Sequence, residues 1–177
     1  MDPIRRATPA DAPDIARIHV AAWRETYPGL LPAHVIEAAS DAARRRPHWE
    51  AALRAGSLRV ALAPSLGFAA MGPQRDAGLA ARGYPEELHA IYVLRAGQGR
   101  GLGRALLRAV WGGRAATALV VAGNADACAF YEAAGAPLLK ERPEEIGGHP
   151  ILERVHAWPG GALPCKEGLG EGKDGPG

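Results

Sequence analysis

Hydrophobic and polar positions follow two rhythms along this chain, and the switches between them mark its elements. After a short strand beginning at Ile4, residues Ile15, Ile18, Ala22 and Tyr27 recur at helical spacing, with Asp11 as the expected N-cap. The stretch "YPGLLP" ends that helix. A second helix is expected over 33–39, and a third over "SDAARRRPHWEAALRAG", interrupted near Pro47 and stopped at Gly56. The runs "LRVALA" and "GFAAMG", separated by "PSL", predict a hairpin. A loop from Pro73 to Pro85 leads into "EELHAIYVL", the clearest strand in the chain. Helical spacing returns from Leu102 to Trp111, "TALVVAG" has the pattern of a buried strand, and "NADACAFYEAAG" that of a helix between an Asn124 cap and Gly135. "LLKER" and "ILERVHAW" can close the sheet as an antiparallel pair. A strand, helices, a meander and a βαβ unit in that order imply a mixed α/β sheet in one domain over residues 1–159.

Composition changes this picture only at the edges. The chain has 177 residues, enough for one sizeable core. From Gly160 onward seven of 18 residues are glycine, so 160–177 is expected to be a flexible tail. A net charge of +2 is too small to argue for a nucleic-acid surface, and Arg44-Arg45-Arg46 has the character of a solvated helix face. Cys128 and Cys165 lack metal-ligand spacing, and neither a signal core nor an 18-residue apolar run is present. These features predict a cytoplasmic location, no metal, and no nucleic-acid or membrane partner.

The candidate chemistry begins at "QGRGLG", Gln98 to Gly103, directly before a helix. Three glycines at a helix N-terminus expose backbone N–H groups that suit an anion. A phosphate-binding loop of the Walker type needs Lys then Ser or Thr after its last glycine, but Arg104-Ala105 follow. A dinucleotide G-x-G-x-x-G fingerprint fails in both registers, meeting Arg104 or Leu106 where it needs glycine.

What remains, Gln98-x-x-Gly101-x-Gly103, resembles the acyl-CoA pyrophosphate loop of the GNAT superfamily of N-acetyltransferases. "ELHAIYV" resembles that family's fourth strand, "NADACAFYEAAG" matches its N-x-x-A-x-x-F-Y signature, and "AAWRETYPGLLP" resembles its first-helix region. Together these cover about residues 4 to 158. One departure is Arg95, where a proline often stands in the family.

The resemblance implies a mostly antiparallel sheet flanked by helices and splayed between its fourth and fifth strands. It also implies acetyl-CoA as co-substrate and direct transfer to a primary amine, small molecule or peptide, with a homodimer left open. The cofactor site would comprise Ile91, Tyr92, Val93, Gln98, Gly99, Arg100, Gly101, Leu102, Gly103, Arg104, Asn124 and Tyr131, with Arg108 one turn beyond. Tyr131 would protonate the departing thiolate, and Glu87 would take the amine proton. Strand alternation places Glu87, His89, Ile91 and Val93 on one face, which makes His89 a rival base. Trp23 and Tyr27, four apart on one helix face, would line the acceptor site or simply pack in the core. Cys128 has no placed base and is expected to be a packed thiol. The rival to an enzyme is a non-catalytic acyl-CoA-binding module of the same fold.

Overall fold

The computed structural model describes residues 3–164. The chain begins with β1 (Arg5–Arg6), then three helices, α1 (Ala12–Thr26), α2 (Ala33–Ala39) and α3 (Ala42–Ala55). The meander β2 (Arg59–Ala63), β3 (Gly67–Pro73), α4 (Ala77–Ala81) and β4 (Glu86–Val93) follows. Then come α5 (Leu102–Val110), β5 (Ala116–Val121), α6 (Ala125–Ala133), β6 (Leu138–Ile146) and β7 (His149–Trp158). The seven strands make one sheet in the order β1-β2-β3-β4-β5-β7-β6, antiparallel throughout except for the β4–β5 pair.

Strand alternation divides the core between the two faces. Val60, Leu62, Phe68 and Ala70 meet Ile15, Ile18 and Trp49 beneath α1 and α3. Ala61, Ala63, Ala69 and Met71 point the other way, toward Leu102, Leu106, Leu107 and Val110 of α5 and toward α6. The alanines on that second face let α5 lie close to the sheet. A third, smaller cluster joins Leu31, Val35 and Ile36 to Ile146 and Ile151, so the α1–α2 region closes against the β6–β7 hairpin.

Three sequence expectations are corrected, and the first residues of the expected tail are described. α3 runs unbroken through Pro47, because the ring sits in its second turn and removes a single i→i−4 bond. Its start is held by Asp41, whose Oδ1 accepts from the N–H groups of Ala43 and Arg44 at 2.9 and 3.2 Å. The loop from Pro73 to Pro85 contains the one-turn α4, capped where Asp76 Oδ1 accepts from Leu79 N–H at 3.0 Å. Asp11 does stand at the N-cap position of α1. Its carboxylate, however, turns back to the Arg5 guanidinium and the Thr8 N–H, and the Arg5 bond holds its pKa far below the usual carboxylate range. Finally, the start of the expected tail is held in place. Gly161 N–H donates to Gly113 O at 2.8 Å, and Gly161 O accepts from Trp111 Nε1 at 2.8 Å. The rest of the expected tail, 165–177, lies outside the described residues.

Candidate active site

The sheet opens between β4 and β5. Their parallel register covers only Glu86 to Leu88 against Ala116 to Ala118, and beyond Leu88 the two strands part. The cause lies in β4 itself. Opposite β3, Leu88 pairs with Met71 and Ala90 with Ala70, so His89 is an extra residue in the ladder. A bulge bends and twists its strand, and this one falls where β4 leaves β5.

The same bulge overturns the expected alternation. Leu88, Ile91 and Val93 pack on the α5 face, whereas Ala90, Tyr92 and Leu94 pack on the α1 face. Glu87, paired with Thr117, shares the α1 face with Tyr92 rather than with Ile91 and Val93. Beyond the bulge, the edge of β4 that faces the gap has lost β5 as a partner.

The glycine loop closes over this edge. Gln98 Nε2 donates to Val93 O at 2.9 Å, and Leu94 N–H donates to Leu66 O at 2.8 Å. Gly99 and Gly101 take left-handed φ values of +73° and +74°, with Gly101 at the N-cap of α5. A Cβ built on either would meet nothing within 4 Å, so the backbone there faces open space. The first amides of α5 have no acceptor within the helix. Gly103 serves packing instead, since a Cβ there would stand 3.2 Å from the Phe130 ring on α6.

Arg95 compensates for the missing family proline. Its N–H donates to Glu25 Oε2 at 2.8 Å and its guanidinium to Glu25 O at 3.0 Å, which ties the loop to the end of α1. A proline has no N–H to make the first of these bonds. Among the arginines, Arg100 and Arg108 are exposed, whereas Arg104 donates to Ala133 O at 2.5 Å and Pro164 O at 3.1 Å. Arg104 thus braces the end of α6.

α6 approaches the opening from the α5 face. Asn124 caps it, with Oδ1 accepting from Ala127 N–H at 3.2 Å. Asn124→Ala should therefore lower stability by about 1 kcal/mol, seen as a reduced urea midpoint at unchanged slope. Tyr131 is 6% exposed, its ring 5.5 Å from those of Phe130 and His156 and 6.0 Å from that of Trp158. Burial, with lesser contributions from Tyr92 and Cys128, pushes its phenol above the usual 10.0. Cys128 is buried.

On the α1 face the gap is floored by Tyr92 and walled by aromatic rings. Trp23 Nε1 donates to Tyr92 Oη at 3.0 Å, and the Trp23 and Tyr27 rings lie 4.5 Å apart. Tyr27 lies within hydrogen-bonding reach of Tyr92. His19, which gave no separate signal inside the α1 stripe, stacks on Tyr92 at 4.7 Å and accepts from Trp49 Nε1 at 3.2 Å. Burial pulls its pKa down to about 3, so it is neutral at physiological pH.

Sequence reasoning also missed the partners of Glu87. Its carboxylate is 1% exposed and accepts from the Arg75 guanidinium and from Arg75 N–H at 3.2 Å. Arg142 bonds Asp76 and, at 2.8 Å, Glu153, extending the charged chain across β7 and β6. Beside Glu87, His89 Nε2 lies 2.8 Å from Pro73 O. A carbonyl can only accept, so Nε2 carries the proton and Nδ1 keeps its lone pair. Burial lowers the His89 pKa below 6.5.

The parted β4–β5 strands and the glycine loop at the head of α5 are the geometry with which known proteins are compared. Residues 56–135 match the family model described as an acetyltransferase (GNAT) domain. A Bacillus subtilis protein, the uncharacterized N-acetyltransferase YuaI, is 29% identical over 167 residues, spanning 88% of this chain and 92% of its own. The ribosomal-protein-alanine N-acetyltransferase of Brucella melitensis has the same fold, with a TM-score of 0.63, 25% identity, and 89% and 99% of the two chains covered. So has yncA of Salmonella typhimurium, solved with its cofactor acetyl-CoA (TM-score 0.63, 22% identity, 93% and 98% covered). This chain is thus similar, in sequence and in fold, to GNAT-type N-acetyltransferases.

Proposed function

We propose that the chain moves an acetyl group from acetyl-CoA to a primary amine by direct attack in a ternary complex. The observation that carries this reading is the coincidence of the parted strands with the left-handed glycine loop at the head of α5. When bound, acetyl-CoA supplies an activated thioester carbonyl. The amides of Gly99, Gly101, Leu102 and Gly103, with Arg100 beside them, meet the pyrophosphate charge at the positive end of α5. Gln98 holds the loop against Val93. The edge at Ile91, Tyr92 and Val93 offers the pantetheine amides a strand to pair with, and Asn124 borders its path. Arg104 acts indirectly, by bracing α6.

Two side chains handle protons. Tyr131 keeps its phenol protonated through the physiological range and gives that proton to the leaving sulfur. Glu87, beside the last β4–β5 pair, takes the ammonium proton through water while Arg75 holds its carboxylate in place. A second reading gives this role to His89, whose Nδ1 lone pair is left free by the Nε2 bond to Pro73 O. Trp23 and Tyr27 line the acceptor side.

Gly101→Val tests the loop. Branched carbons would enter the open space that the backbone now faces, and a β-branched residue resists a φ of +74°. Acetyl-CoA affinity should fall at least tenfold, about 1.4 kcal/mol. Calorimetry showing unchanged affinity in a folded variant overturns the assignment. Thiol release from acetyl-CoA across a panel of amines tests the transfer itself.

A further inference from the structure

The arginines around the site are not all matched. Arg59 pairs with Glu86, Arg75 with Glu87, and Arg142 with Asp76 and Glu153. Arg45 of α3 has no such partner. It is half-buried, its Nε donates to Ala39 O at 2.7 Å, and its guanidinium carbon stands 5.2 Å from the centre of the Trp23 ring. Among the described residues it forms no ion pair, and its terminal Nη groups have no hydrogen-bond acceptor. A half-buried cation without a counter-charge is unfavourable, and burial lowers the Arg45 pKa.

Arg45 also lines a cavity of about 330 Å³, with Ala38, Ala39, Asp41, Arg44 and His48. Asp41 caps α3 through Oδ1 and forms no ion pair with Arg45, and with Arg44 and Arg45 both in the lining the cavity keeps an excess of positive charge. Arg45 connects the cavity to the aromatic rings beside the gap. Trp23, on which Arg45 rests, is bonded to Tyr92. The charge of Arg45 is felt by Tyr27 and Tyr92, and that of His48 by His89. Glu87, Glu144 and Glu153, by contrast, are already matched by Arg75 and Arg142.

We propose that the acceptor is an amine bearing a carboxylate, of amino-acid size, and that Arg45 binds this carboxylate in the cavity between α2 and α3. The inference rests on the acetyl-transfer reading above. A guanidinium pinned at Nε and by an aromatic face presents its two Nη groups as a fork, which matches a planar carboxylate with two parallel bonds. The cavity volume lies at the small end of ligand sites, which run from about 300 to 1,000 Å³.

The test compares free amino acids with their carboxamides as acceptors, by thiol release from acetyl-CoA, with rates expressed per concentration of unprotonated amine. The carboxylate series should be favoured at least tenfold in kcat/KM, mostly through KM. Arg45→Gln should erase the difference, and Arg45→Lys, which keeps the charge but not the fork, should restore part of it. An enzyme that acetylates both series equally overturns the proposal while leaving acetyl transfer intact. A preference for phosphonate-bearing amines over carboxylates also overturns it. Failure to acetylate any amine, with acetyl-CoA still bound in calorimetry, overturns the transfer reading itself. Should Arg45→Gln fail to fold, the comparison of the two series in the parent still decides.

Discussion

Replacing Tyr131 with phenylalanine is expected to lower kcat about a hundredfold, within the range set by loss of a positioned general acid, while acetyl-CoA affinity changes little. The substitution removes one oxygen and keeps the ring, so the packing against Phe130, His156 and Trp158 survives. Burial raises the phenol above 10.0, so the proton is present at every pH where the protein works, while the same shift makes the phenol a weaker acid. Its transfer is therefore expected to accompany cleavage of the C–S bond, as charge develops on sulfur. The loss should fall on kcat and kcat/KM alike, as for an interaction made only in the transition state. Equal kcat values in variant and parent would leave Tyr131 as a packing residue of α6.

Local signals in the sequence were the ones that could be read. The spacing of Gln98, Gly101 and Gly103 has meaning within a single turn of chain, because left-handed φ and an open helix terminus are properties of neighbouring residues. The same holds for the Asn124 cap and for the buried runs of β3 and β5. The splay was available only through resemblance, since no residue within β4 announces it. Its origin, the extra residue at His89, exists only as a mismatch between two strands. That single slip moved Ile91 and Val93 away from the face of Glu87. The Arg75–Glu87 pair was hidden because a 12-residue separation spans a loop whose short α4 has too little periodicity to detect. Arg104 shows a similar limit. Its place one turn into α5 suggested phosphate, whereas its bonds to Ala133 O and Pro164 O join segments 29 and 60 residues away that no local pattern announces.

The base should be identified by pH profiles, and here the expected effect is again about a hundredfold or more. A primary amine acceptor is mostly protonated at neutral pH, with a pKa near that of lysine at about 10.4, so a proton must leave it before or during attack. Glu87→Gln removes the basic oxygen yet keeps a carbonyl to accept from Arg75, so the local fold should hold. It should depress kcat/KM and abolish or displace the ascending limb of the pH profile, whereas His89→Gln should leave that limb in place. The sign of the histidine alternative is fixed by its surroundings. Burial pulls its pKa below 6.5, so the imidazole is an active base above that pKa and is silenced as pH falls through it. A histidine limb must therefore lie below pH 6.5. The acceptor's own deprotonation gives a limb that moves when acceptors of different pKa are compared, while a limb that stays fixed belongs to the protein. A fixed limb below pH 6.5 that survives Glu87→Gln and disappears in His89→Gln would transfer the role to His89 and leave Glu87 as the partner that anchors Arg75.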